Sequence, residues 1–168
     1  SGIWSASTTW GGLVPSAADT VVVSPGHIVT LDVEGQGANS ITVHGTFNFG
    51  SIPTEFQAKD MNVATGGLVN VFSGTTPKTL RVSGNLVNNG RINTLAGISF
   101  HGTLNLNGTT AQTISGTGIW GGTFTSTTST NEVGVIGILS ITNTSTSIPR
   151  VNYTMGGTLR IRNLLTLT

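Results

Sequence analysis

The chain of 168 residues has no cysteine, so neither disulfide bridges nor thiol chemistry operate in it. It also has little charge. Only 8% of residues are Asp, Glu, Lys or Arg, against roughly a quarter in ordinary soluble domains, so the surface must be made polar by hydroxyls and amides. Seven basic residues scattered among six acidic ones give a net charge of +1. That balance does not supply the basic footprint a nucleic acid requires. No basic amphipathic helix is present to hold a membrane surface, and no apolar run is of spanning length. The glycine-rich nonapeptide that carries an aspartate in each turn of calcium-binding β-rolls is missing, as is a phosphate loop with its lysine.

What the chain does have is a phrase that recurs. In Thr79 to Asn93, T-L-R-V-S-G-N-L-V-N-N-G-R-I-N, apolar residues alternate with small polar ones, and Gly84, Asn89 and Gly90 mark turns. Leu80, Val82, Leu86 and Ile92 fall on one side of short strands and Arg81, Ser83 and Arg91 on the other, the period-two pattern of half-buried β structure. The phrase returns at Val43 to Phe49, Thr65 to Val71, Phe100 to Leu106 and Met155 to Ile161. Gly45, Gly67, Gly84 and Gly102 recur at steps of about 20 residues, within the range of stacked solenoid coils. Gly157 follows Gly102 after a gap that fits three more such steps. The expected fold is all-β, a right-handed parallel β-helix of about seven or eight coils. Its organisation is an amino-terminal cap and entry at residues 1–23, then coils over 24–168. The final L-L-T-L-T ends in mid-strand, and a solenoid end needs covering, so further coils are expected beyond Thr168.

Within the cap, Trp4 and Trp10 are expected to lie over the open end of the first coil, with a sugar-stacking platform as the other reading. The tryptophan pair is followed by V-P-S-A-A-D-T-V-V-V, then S-P-G-H-I-V-T-L-D-V and S-I-T-V-H-G-T-F-N-F. This opening resembles the G8-like solenoid modules of extracellular proteins. The later phrases, L-R-V-S-G-N-L-V-N-N-G-R-I-N and G-G-T-L-R-I-R-N-L-L-T-L-T among them, are similar to β-solenoid segments of very large secreted or surface proteins, particularly those that Bacteroidetes export by the type IX route. The resemblance implies an extracellular or cell-surface location and says little of activity, since strand and turn residues carry it.

Residues with chemical potential are sparse. Thr54 to Asp60, T-E-F-Q-A-K-D, is the densest charged patch and reads as a loop or helical turn leaving a corner. The carboxylates Asp19, Asp32, Glu34, Glu55, Asp60 and Glu132 occupy no repeated position, which disfavours the paired acids of a polysaccharide-cleaving β-helix enzyme. His44 and His101 both precede a glycine and are expected at one repeat position several coils apart, too far to share an ion, while His27 and His44 lack a third ligand. No metal, cofactor or catalytic residue is expected. Regular threonines such as Thr123 with Thr125, or Thr166 with Thr168, are a weak basis for a water-ordering array. Trp120 and Tyr153 are the candidate ligand-binding residues, as aromatics able to stack on sugars, with packing in the core or at a corner as the leading reading of Trp120. The leading expectation is a non-catalytic structural or adhesion segment of a large extracellular bacterial protein, with the neighbouring domains of that protein as partners. The alternative is a carbohydrate-binding module whose partner is a polysaccharide or cell-surface glycan. A polysaccharide-active enzyme comes third.

Overall fold

A computed structural model describes residues 1–52, 54–73, 76, 78–95, 101–121, 135–156 and 159–168, apart from the side chain at 163. The chain winds as a parallel β-solenoid of about six turns. In the first turn β1 (Gly2–Ile3) and a single helical turn, α1 (Ser7–Trp10), lead to β2 (Thr20–Val23). The second carries β3 (Ile28–Leu31) and β4 (Gln36–Val43), and the third β5 (Thr46–Phe49) and β6 (Glu55–Val63). From the fourth turn onward there are three strands per coil: β7 (Leu68–Asn70), β8 (Thr79–Val82) and β9 (Leu86–Asn88), then β10 (Arg91–Asn93), β11 (Thr103–Leu106) and β12 (Gln112–Ser115). The sixth has β13 (Ile119–Trp120), β14 (Val135–Ile141) and β15 (Val151–Tyr153), and β16 (Arg160–Leu167) follows.

All pairings between these strands are parallel. Sheet A runs β1-β3-β5-β7-β10-β13. Sheet B runs from β2 through β4 to β6 and there divides: residues 55–58 of β6 pair with β8, and 61–63 with β9. One branch continues β8-β11-β14-β16 and the other β9-β12-β15. Parallel strands place equivalent side chains directly above one another, and alternation sends every second residue inward. The core is therefore a set of columns. Val29, Phe47, Val69, Ile92 and Trp120 line sheet A, and all are no more than 3% exposed. Ile41, Met61, Leu86 and Ile114 continue Val21 in sheet B, with Tyr153 next in the same column. Trp4 is fully buried, with its ring 5.2 Å from Phe56 and 4.9 Å from Trp10. The indole of Trp10 donates to the Trp4 carbonyl at 2.7 Å.

Four expectations need correction. The coils are fewer and longer than anticipated: the short step from Val29 to Phe47 gives way to a longer one from Ile92 to Trp120 and a longer one still from Ile114 to Tyr153. Thr54 to Asp60 does not leave the surface as a loop. Glu55–Val63 is the longest strand, because Phe56, Ala58, Met61 and Val63 turn into the core and its charges turn outward. The four anchoring glycines belong to different columns. Gly45 and Gly67 precede β5 and β7, and their true successors are Gly90 and Gly118, whereas Gly84 and Gly102 precede strands of sheet B. For the same reason His44 and His101 are not equivalent: His44 stands exposed before β5, and His101 lies buried before β11.

Splitting the sheet creates a backbone problem that the side chains solve. At Ser83–Gly84–Asn85 the ladder stops, and carbonyls inside the bend need donors. Gln112 Nε2 donates to the carbonyls of Val82 (2.9 Å) and Gly84 (2.6 Å), while its Oε1 accepts from Gly108 N–H (2.9 Å) and Asn143 Nδ2 (2.7 Å). Both Gln112 and Asn143 are buried. On the outside of the bend, Asp60 Oδ1 accepts from Asn85 N–H at 2.7 Å.

Candidate functional site

The corner that leads into sheet A is built from glycine. At Gly45, Gly67, Gly90 and Gly118 an added Cβ would collide with backbone oxygen of the preceding coil, so close coil stacking selects glycine at each step. One position earlier the column reads His44, Gly66, Asn89 and Thr117. One position later it reads Thr46, Leu68, Arg91 and Ile119, whose side chains face outward from sheet A. The missing side chains leave a shallow groove of about 450 Å³ across three coils, walled by Leu68, Asn89, Arg91, Thr117 and Ile119 over the glycine floor. Asn89 Oδ1 accepts from Thr117 N–H at 3.1 Å, a side-chain rung that ties two coils along the groove. Beside it on the sheet, Asn70 Nδ2 donates to Asn48 Oδ1 at 2.8 Å. The groove offers aliphatic faces and a few donors. It has no acid or base set against a second one, so it can hold a ligand but contains no pair suited to proton transfer.

The two aromatic candidates do not form a platform. Trp120 is on β13 of sheet A and only 3% exposed, packed within the core, so of its two readings the ring takes the packing role and is not an exposed stacking face. It is an inward residue of the Ile92 column, and a ring of that size is best accommodated inside. Tyr153 is half-buried on β15 of sheet B, stacked after Ile114 and packed against the same core. Thr123, Thr125, Glu132 and Pro77 lie outside the described residues. Arg160 and Arg162 are exposed on β16, as their alternation implies.

Four of the described carboxylates, Asp32, Glu34, Glu55 and Asp60, join coils. Asp32 accepts from the Ser5 N–H (2.9 Å) and hydroxyl (2.6 Å), and Glu34 from the Thr54 N–H (2.8 Å). Arg81 Nε donates to Glu55 at 2.6 Å. Burial acts to raise the Asp32 carboxyl, but the hydrogen bonds from Ser5 and neighbouring backbone outweigh it and hold the group below its ordinary value. Hydrogen bonds from the Ser16 backbone and hydroxyl similarly lower Asp19. Among the described residues no three His, Asp or Glu side chains cluster as metal ligands do.

Sequence reasoning missed Lys78 and Gln112. Lys78 is fully buried, its Nζ donating to the Ser51 carbonyl at 2.9 Å. Burial pulls its ammonium below the usual lysine value, and the charge of Glu34 pulls in the opposite direction. The only signal for it is a lone lysine immediately before a strand. Gln112 reads as an ordinary strand residue in A-Q-T-I-S-G-T, and nothing local marks the carbonyls of the preceding coil that it serves.

A model of the G8 domain matches residues 9–119. The chain belongs to the G8 domain family. No curated protein and no solved structure matches it. The G8 match begins in α1 and runs to Ile119, so it takes in every residue of the glycine-floored groove and, in full, the sheet A strands β3, β5, β7 and β10. Glycine at the coil corner is thus a feature within the G8 region, and its physical reason is the backbone oxygen beneath each one.

Proposed function

We propose that this G8 domain is a non-catalytic structural or adhesion segment of a large extracellular bacterial surface protein, where it presents or spaces other modules. The observation that carries this reading is the unbroken apolar column joined by parallel ladders from the first coil to the last. Such an architecture makes a stiff rod whose length scales with coil number. Low charge, abundant hydroxyl and amide side chains and the likeness of its later phrases to type IX-exported solenoids support the cell surface as its location.

A second reading, carbohydrate binding, is favoured by the groove over Gly67, Gly90 and Gly118. Its floor is flat, Leu68 and Ile119 provide aliphatic contact for a sugar face, and Asn89, Arg91 and Thr117 provide polar atoms at the rim. A panel of soluble glycans and insoluble polysaccharides separates the two readings. A spacer binds none of them. Saturable binding that weakens at least tenfold in Arg91→Ala and Leu68→Glu, both on the outward face, establishes the binding module instead. Saturable binding indifferent to both changes removes the groove from consideration.

A further inference from the structure

Charge is sparse on this molecule and unevenly placed. Asp19 precedes β2, Asp32 and Glu34 follow β3, and Glu55 and Asp60 belong to β6 of sheet B. None of these carboxylates lines the glycine-floored groove, where Arg91 alone is charged among the described residues. Its guanidinium is a planar fork of N–H donors matched to a carboxylate, and no acid in that lining opposes an anionic ligand. Leu68 and Ile119 stand on either side of Arg91 in the same row, one coil before it and one after. The opposite wall, Gly66, Asn89 and Thr117, is neutral.

Spacing adds a second constraint. Coils in parallel register are about 4.8 Å apart, so Gly67, Gly90 and Gly118 form a track of regular steps along the solenoid axis. A fully extended β-1,4-linked chain of pyranose rings advances by nearly that step per ring. It also turns each ring over relative to the last, so the C5 substituents point alternately to the two edges of a flat ribbon. Laid on the glycine floor, such a ribbon sets one ring on each coil. When the substituent of the middle ring is directed at Arg91, those of its neighbours are directed at the other wall. There Gly66 leaves open space and Thr117 offers a hydroxyl. The row Leu68, Arg91, Ile119 thus alternates between apolar and cationic with the same two-ring period as the ribbon.

We propose that the groove takes a linear β-1,4-linked polyuronate, lying along the solenoid axis with one ring per coil and the carboxylate of the middle ring on Arg91. This inference rests on the carbohydrate-binding reading of the groove and adds to it the charge, linkage and direction of the ligand. Leu68 and Ile119 then flank rings whose carboxylates point away from them, so no charge is pressed against an aliphatic side chain.

Titration calorimetry of the whole chain with a β-1,4-linked glucuronate hexasaccharide tests this. Two hexasaccharides serve for comparison. Cellohexaose has the same linkage and no charge, and hexagalacturonate has the same charge and an α-1,4 linkage that forms no flat ribbon. The glucuronate chain should bind saturably, at least tenfold more tightly than either, and added salt should weaken it. Arg91→Gln should lower its affinity at least tenfold and Arg91→Lys by less. Lys59→Gln, exposed on β6 of sheet B, should leave it unchanged. Circular dichroism checks that each variant is folded. If no saccharide binds, the carbohydrate reading falls and this inference with it. If saccharides bind and lose affinity in Leu68→Glu, but either comparison chain matches the glucuronate chain or Arg91→Gln changes nothing, the carbohydrate reading stands and the polyuronate is overturned.

Discussion

The second and third coils and the fourth to sixth coils solve the same packing problem differently. In the former, sheet B is spanned by the single long strands β4 and β6. In the latter each of those strands is two pieces around a bend, and the segment between the pieces grows from 83–85 to 107–111 to 142–150. In the early coils the ladder crosses sheet B in long strands, and side-chain links such as Asp32 to Ser5 and Glu34 to Thr54 add to it. The later ones substitute side-chain amides for ladder bonds at the bend. A solenoid can therefore lengthen its coils and vary its corners without losing the core, provided a buried amide takes up the carbonyls that the broken ladder releases.

The severest way to break that comparison is to attack the point where one strand becomes two. Leu86 is fully buried opposite Met61 at the start of the second branch. Leu86→Asp should cost upward of about 4 kcal/mol, since it leaves an unpaired charge in the column. Thermal melting of this variant should show a collapse of native signal, and a melting temperature near the parent's would sink the core assignment. Phe47→Ala, in the undivided coils, should cost about 3–5 kcal/mol by the cavity it leaves, read from the same melts. Gln112→Leu comes next. It takes away the partner of the Gly84 carbonyl and of the Gly108 amide, while the Val82 carbonyl keeps the Asn107 N–H and Asn143 keeps the Thr110 carbonyl, so a loss of about 2–3 kcal/mol is expected from the unsatisfied polar groups. Denaturant unfolding measures it, and a near-neutral result would mean that the bend is held by something other than this amide.

The period-two alternation makes the class of fold legible, because inward and outward residues of a stacked coil obey the same rule in every turn. It cannot make the coil count legible. A glycine shortly ahead of a short apolar–polar strand occurs on both sheets, so Gly84 and Gly102 of sheet B look like successors of Gly67, and counting them shortens the apparent coil. The charged stretch at Glu55 to Asp60 hides a strand because its charge density masks the inward pair Phe56 and Ala58. For Trp120 a packing role is legible from the size of the ring, but its place in the core is not, since its side of the strand depends on the register with Ile92 one coil earlier. The groove is invisible for a related reason. Its walls come from residues 66–68, 89–91 and 117–119, and only the true glycine column brings them together.

Smaller substitutions sharpen the comparison at the corner itself. Gly90→Ala drives a Cβ into the carbonyl oxygens of Ala64 and Gly67, which should cost about 1–3 kcal/mol as the coils are forced apart. Gly12→Ala meets nothing within 4 Å and should stay within about 0.5 kcal/mol of the parent. If chemical denaturation finds the two equal, coil stacking does not select glycine at the corner. The smallest effect belongs to the link between Ser5 and Asp32 in the first coils. Asp32 is held below its ordinary value by its hydrogen bonds against the opposing pull of burial, so the folded state binds its proton less tightly than the unfolded chain. Its contribution is then complete above the unfolded carboxylate value of about 3.9 and is lost as pH falls through the lower folded value. Because the site is near the surface, the difference should be under about 1 kcal/mol. Asp32→Asn should remove that part of the acid slope in stability while leaving the neutral-pH fold intact, and an unchanged slope would show that Ser5 is held by its neighbouring backbone and not by the carboxylate.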